Sequence, residues 1–274
     1  MIGNIHQMDN HSYIMECEEE SIRLDLKTDP KIIEDLAIWA GIKQGMRILD
    51  LGCGSGKTTF YLNKLVQPGG SANGIDISQE RIDYAQSHYS EGNVEFITGD
   101  IRKPLDKLGL FDFIWIRFVL EHHLTNSFDI VKTVSSLLKP GGIMCLVDLD
   151  YNCLSHHGLS PRLEKALYGI MSFLEKHANF DPYVGRKLYA YLYDLEYEQI
   201  DIRIDAHHCI FGELKETDAF NWMKKVKIAA KNSGYKFEEY EDKFEGFLAE
   251  FRQSFFDPRR FTYTPVIVCR GRKS

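Results

Sequence analysis

The spacing of apolar and polar residues divides the chain into two textures near residue 150. From about 30 to 150, short apolar runs alternate with amphipathic stretches. MRILDLG (46–52) is an apolar run that stops on glycine, and SANGIDIS (71–78) follows a PGG turn. VEFITGD (94–100), FDFIWIRF (111–118) and GIMCLVDLD (142–150) follow, the last after a KPGG turn. Between them, SQERIDYAQSHY (78–89) and NSFDIVKTVSSLL (126–138) carry apolar residues at helical spacing, with Ser78 placed to cap the first. Strands apolar on both faces and alternating with helices predict a parallel sheet covered on both sides, a doubly wound α/β fold. Such sheets bind ligands at the carboxyl ends of their strands, so the loops after Asp50, Ile75, Gly99, Ile116 and Val147 are expected on one rim.

Beyond 150 the pattern predicts helices over 161–178, 185–195, 215–234 and 241–256, and strands over 197–211 and 260–271. Pro265 suits an edge strand or a bulge. Three segments result: a cap over 1–29 with Tyr13 and EEESIRLDL, a core over 30–150, and a half over 151–274 that completes the sheet. Helices inserted between the last two strands, around 212–258, are placed to form a lid. The stripe Phe247, Phe251, Phe255 has i, i+4 spacing and reads first as core packing.

The 274 residues are 44% hydrophobic and 27% charged, enough apolar material for a sizeable core. The formal charge of −7 argues against a nucleic-acid partner, which needs a basic face. None of the six cysteines forms a Cys-x-x-Cys pair, which fits a reducing, cytoplasmic setting. The opening MIGNIHQMDNHSY has no basic and apolar leader pattern, and no apolar run reaches membrane-spanning length, so no membrane association is expected.

The stretch ILDLGCGSGKTTF (48–60) poses the question of chemistry. A phosphate-binding P-loop needs G-x-x-x-x-G-K-[ST], and counting back from Gly56-Lys57-Thr58 puts Leu51 where the first glycine must stand. The dinucleotide fingerprint G-x-G-x-x-G fails too, because Lys57 occupies its third glycine position. What remains is Gly52, Gly54 and Gly56, alternate glycines that let a ligand approach the backbone closely. Asp76, ending the second strand, can accept from both hydroxyls of a ribose. Asp100 of TGD, ending the third, can accept from an adenine amine, with the N–H of Ile101 facing the ring.

ILDLGCGSGKTT, GIDIS, FITGDI, FDFIWIRFVLEHH and LLKPGG, in this order over roughly 45–150, resemble the successive motifs of class I S-adenosylmethionine (SAM) dependent methyltransferases. The resemblance implies a seven-stranded sheet of order 3-2-1-4-5-7-6 with its last strand antiparallel. It implies SAM as cofactor and S-adenosylhomocysteine (SAH) as product. Asp50 and the loop Gly52, Cys53, Gly54 and Gly56 would face the methionine portion, Asp76 and Ile77 the ribose, and Asp100 and Ile101 the adenine. Arg117 and Phe118 would lie under the reactive centre. The RFVLEHH form resembles enzymes that methylate small molecules, and the signatures of base-modifying enzymes are absent.

Methyl transfer asks little of side chains beyond alignment, so catalytic candidates are few. His122 and His123 follow the fourth strand, where an imidazole could serve as base or brace the next helix. Asp148, Asp150, Tyr151 and Asn152 follow the fifth and could orient a polar substrate or bond within the loop. Arg186 could meet an anionic substrate or cap a helix, and Arg23 could close over the cofactor carboxylate. Arg117, a cation where metal-dependent relatives place a ligand, predicts no metal site. A nicotinamide-dependent oxidoreductase and a non-catalytic SAM-binding regulator are the competing readings.

Overall fold

The computed structural model describes residues 20–152 and 154–274. Helices α1 (Glu20–Lys27) and α2 (Pro30–Ala40) lead into β1 (Arg47–Leu51). There follow α3 (Lys57–Val66), β2 (Ser71–Asp76), α4 (Gln79–Tyr89), β3 (Val94–Thr98), β4 (Phe111–Arg117), α5 (Ser127–Ser135) and β5 (Leu138–Leu149). The second half adds β6 (His156–His157), α6 (Pro161–His177), α7 (Leu188–Asp194), β7 (Glu198–Phe211), α8 (Glu216–Ser233), α9 (Lys243–Phe255) and β8 (Phe261–Arg272).

Five parallel strands run in the order β3-β2-β1-β4-β5, and β8 then joins β5 antiparallel, with β7 on its far side. Counting only the long strands, this is the expected order 3-2-1-4-5-7-6 with the last strand reversed. The two-residue β6 is an addition that continues the β5 side of β8 through His156↔Thr262 and His157↔Phe261. Pro265 sits at a bulge, where the register slips between Ala206 and His208, and β8 is interior while β7 forms the edge. β5 begins earlier than its apolar run, because Leu138 pairs with Phe111 before a bulge absorbs the glycine turn.

Local chemistry sets the helix starts. Asp29 accepts from Lys31 N ahead of Pro30, Ser78 accepts from Arg81 N, and Ser160 accepts from Leu163 N ahead of Pro161. Two apolar layers then sandwich the sheet. Leu49, Leu51, Ile114, Ile116 and Leu146 face one side with α5 and α7, while Ile48, Phe113, Trp115 and Cys145 face the other with α2 and α3. Alternate residues of each strand thus enter opposite cores.

A separate apolar body is built from α6, α8 and α9 around Trp222, Phe247 and Phe251. The Phe247–Phe251–Phe255 stripe lies inside it. Phe251 stacks on Phe255 with ring centroids 5.4 Å apart and meets His156 edge-on at 6.1 Å. Phe251→Ala is expected to cost about 3–5 kcal/mol of stability by removing this stack. Urea unfolding measures it, and a loss below about 1 kcal/mol would show that the three helices do not depend on the stripe.

Candidate functional site

The site begins where β1 ends. Gly52, Gly54 and Gly56 have φ of 70°, 54° and 84°, the left-handed region that glycine enters without penalty. A Cβ on Gly52 would stand 2.4 Å from Val119 Cγ2, and one on Gly56 2.5 Å from Ala85 Cβ. The turn is latched to the end of β2: Gly52 and Cys53 donate to the Ile75 carbonyl at 2.8 and 2.9 Å, and Gly54 N donates to Asp76 Oδ2 at 2.9 Å. Beneath the turn, Asp50 accepts from Thr59 Oγ1 at 2.6 Å. Burial drives its carboxyl up to about 7, against the pull of that hydrogen bond and of Arg117. Lys57 does not face a phosphate site. Its Nζ donates to the Asp25 carbonyl at 2.8 Å and ties α1 to the start of α3.

The turn opens into a cavity of about 410 Å³ along the carboxyl ends of the parallel strands. Among the expected site residues, Gly52, Cys53, Gly54, Asp76, Ile77, Asp100 and Ile101 line it, as do Arg117, Phe118, His122 and His123. Five lie elsewhere. Asp50 and Gly56 stand behind the turn, the first turned to Thr59 and the second capping α3. Asp150 and Arg186 form a two-pronged ion pair with each other, both bonds at 2.9 Å, and neither lines the cavity. Arg23 is bonded to Glu20, so α1 meets the cavity through Leu24 and Lys27 instead. Tyr13 lies outside the described residues.

The two carboxylates expected to read a nucleoside have arginine neighbours. Asp76 Oδ1 accepts from Ser78 N and from Arg81 Nε, each at 3.0 Å. Asp100 holds Arg102 at 2.8 and 2.9 Å, and that arginine keeps its carboxyl below the usual range. Each guanidinium takes acceptor capacity while leaving further lone pairs toward the cavity. Arg81 and Arg102 were legible as arginines within a few residues of the key aspartates, a signal that sequence reading passed over.

At the end of β4 the chain turns sharply, with Phe118 at φ 58°, which is strained for a non-glycine residue. Arg117 packs against the Phe118 ring at 4.1 Å, Lys27 at 5.0 Å, and His207 meets it edge-on at 4.7 Å. Behind the ring, Lys225 of α8 donates to Asn152 Oδ1 at 2.7 Å, and Asn152 Nδ2 donates to Glu121 Oε2 at 2.6 Å. Burial, reinforced by Lys27 and Lys225, draws His122 down to about 3. Burial also draws His123 down to about 4, with His122 and Arg102 adding to it. Both imidazoles are therefore neutral across the physiological range. Lys27, Glu121 and Lys225 lay beyond sequence reading, because they come from segments about a hundred residues apart that only tertiary packing unites. Asp148 is buried and accepts from the N–H groups of Glu121 and Leu149, a bracing role rather than a cavity contact. Among the described residues, no group of three or more His, Cys, Asp or Glu is placed to hold a metal ion.

Comparison with known proteins agrees with this geometry. The profile of the methyltransferase domain family matches residues 42–183, just over half of the chain. The chain belongs to the methyltransferase domain family. It is 31% identical over 136 residues to demethylmenaquinone methyltransferase of Lactococcus lactis, covering 48% of this chain and 52% of that one. The chain thus spans about half the length of the curated relatives it matches. A putative methyltransferase of Bacillus halodurans superposes with a TM-score of 0.56 at 15% identity, over 89% of this chain and 99% of that one. Coclaurine N-methyltransferase, solved with N-methylheliamine and SAH, superposes at 0.53 and 14% identity, over 89% and 72%. At those identities the likeness is one of fold. The matched segment holds the glycine turn, Asp76, Asp100 and the β4 end, whereas α1 and α8 fall outside it.

Asp50 gives the core of the sheet a pH signature. Its carboxyl titrates at about 7 in the folded chain and near 4 unfolded, so between those values the folded state holds the extra proton. That contribution to stability is present at low pH and is lost as pH rises toward about 7. Asp50→Asn keeps an acceptor for Thr59 and cannot ionise. It is expected to exceed the parent by about 1–3 kcal/mol near neutrality and above, an advantage that shrinks toward pH ~4. Urea unfolding across that range measures this, and a variant that loses stability relative to the parent as pH rises would contradict it.

Proposed function

We propose that this chain transfers a methyl group from SAM to a small organic acceptor bound in the cavity beneath α1. The glycine turn carries the reading: alternate glycines expose backbone at the floor, where a Cβ at Gly52 would collide with Val119. A phosphate-free, aminoacyl-bearing ligand suits it, since Lys57 is committed to α1 and leaves no phosphate clamp. Asp76 and Asp100 stand at the ends of neighbouring strands, spaced to meet a ribose and an adenine, with Ile77 and Ile101 as the apolar walls between. When bound, SAM supplies the methyl group and the sulfonium leaving group.

The protein's own part is alignment and exclusion of water. Phe118 and Arg117 form the floor under the acceptor side. His122 and His123, with conjugate acids at about 3 and 4, are weak bases. They suit accepting a hydrogen bond from an acceptor hydroxyl better than removing its proton at neutral pH. The apolar body of α6, α8 and α9 acts as a lid, joined to the site through Lys225 and Asn152. The unpaired cysteine spacing and the net charge of −7 support a cytoplasmic enzyme acting on a small molecule rather than on nucleic acid.

Isothermal titration with SAH is expected to give one-to-one binding, and absence of binding to SAH or SAM would sink the proposal. Asp76→Asn is expected to weaken SAH binding by about 1–3 kcal/mol, through lost ribose hydrogen bonds and a loosened Gly54 turn. Unchanged affinity would remove Asp76 from the ribose contact. Tight NADH binding without SAH binding would favour the oxidoreductase reading, which lacks its glycine at Lys57.

A further inference from the structure

Four cationic side chains crowd the acceptor side of the cavity. Lys27 and Arg117 both pack on the Phe118 ring and both line the cavity. Lys225 approaches from α8, and Arg23 lies one turn before Lys27 on α1. Lys27 and Arg117 make no ion pair among the described residues, and Arg117 Nε is buried without a hydrogen-bond partner. Among the described residues, the anions nearby do not balance them. Asp148 is pushed well above its ordinary range by burial, and Asp50 to about 7, so both shed charge, while Arg23 is spoken for by Glu20. Glu121 is the remaining carboxylate that acts on Lys27, and burial pushes it upward too. The imidazoles facing this space, His122, His207 and His208, are held neutral by burial and by the same lysines.

Gathering like charges beside a cavity costs folding free energy unless something offsets it. We infer that the acceptor of this methyltransferase carries an anionic oxygen, a carboxylate or a phenolate, which Lys27 and Arg117 bind across the Phe118 ring. The inference rests on the activity proposed above and names its substrate class. Two observations support it apart from charge. Phe118 holds a strained backbone at φ 58°, and its ring meets both cations, Lys27 at 5.0 Å and Arg117 at 4.1 Å, which brings the two to one side chain at the cavity wall. Lys27 reaches this ring from α1 while Arg117 ends β4, so two separate elements converge on one wall of the cavity.

The pH dependence follows from Lys27. Burial draws its ammonium down to about 7, with Lys225, Arg23 and Arg117 lowering it and Glu121 alone raising it. An anion in the cavity favours the protonated lysine, so binding is strongest below about pH 7 and weakens as pH rises and the free amine forms.

The test compares acids with their amides: benzoate with benzamide, and phenylacetate with phenylacetamide. Each is titrated with and without saturating SAH. At least one acid is expected to bind about tenfold more tightly than its amide near pH ~6, and to lose several-fold of that preference by pH ~9. Lys27→Met is expected to reduce the preference and flatten its pH profile, and Arg117→Gln to reduce the preference alone. The inference is overturned if no acid outbinds its amide, or if Lys27→Met leaves preference and profile intact. It is equally overturned if the variants lose SAH affinity but keep the acid preference, which would assign the cations to the cofactor's own carboxylate. Failure of SAH to bind the parent protein sinks the proposed activity. The acid–amide comparison without SAH still decides the anionic site.

Discussion

The rim of this sheet depends on how the backbone at the end of β1 is satisfied. A parallel strand that stops in the middle of a sheet leaves N–H groups with no ladder partner, and buried donors must be paired. Here the donors of Gly52 and Cys53 go to the Ile75 carbonyl, and that of Gly54 goes to the Asp76 carboxylate. The path that makes these bonds requires left-handed backbone at three alternate positions, which only glycine adopts freely. The same path removes side chains from the cavity floor. One constraint therefore fixes the turn, aligns β2 against it and clears the space where a ligand's backbone contacts are made.

Once that floor is open to a ligand, the surrounding polar groups must be held without one. Asp76 and Asp100 do so by pairing with Arg81 and Arg102, and Asp50 by taking the Thr59 hydroxyl. Carboxylates pre-positioned by neighbouring donors keep their geometry when further partners arrive. Lys57 adds a second tie by anchoring α1 over the turn, with Tyr89 bonded to Asp25 of the same helix. The residue that gave the sequence its P-loop appearance has a structural task instead.

Much of the frame was legible in the sequence because it rests on local physics. The apolar runs at 46–52, 71–78, 94–100 and 111–118 and the glycine spacing are short-range signals, and the observed strands fall within them. The misreadings occurred where pairing overrides composition. Lys139-Pro140-Gly141-Gly142 reads as a turn before a strand, yet Leu138 already pairs with Phe111 and the glycines form a bulge. Pro265 pointed to an edge or a bulge, and the bulge alone is right, since β7 supplies the edge. Asp150 and Arg186 each looked free to meet a substrate, and only their tertiary approach turns them into a pair. Lys27, Glu121 and Lys225 belong to α1, the β4 end and α8, and no spacing along the chain announces their meeting.

The division between shared frame and private chemistry has the same origin. The residues proposed for the cofactor side sit on the turns of β1, β2 and β3, where backbone geometry restricts both position and residue type. Those proposed for the acceptor side come from the β4 end, with Lys27 added from α1 and Lys225 from α8, where a helix side chain can change without disturbing the sheet's hydrogen bonds. The cost of this freedom is electrostatic: α1 and α8 bring Lys27 and Lys225 toward Arg117, and Lys225 and Arg117 both lower the affinity of Lys27 for a proton. Neutral His122, His207 and His208 keep that crowding from being worse, since none adds a positive charge, whereas burial of Asp148 favours its uncharged form and withdraws an anion that would offset it. A cavity so poised is held together by the apolar body around Trp222 and Phe251. Trp222, Val226, Ala229 and Ala230 bury one face of α8 in it, and Lys225 ties the helix to Asn152.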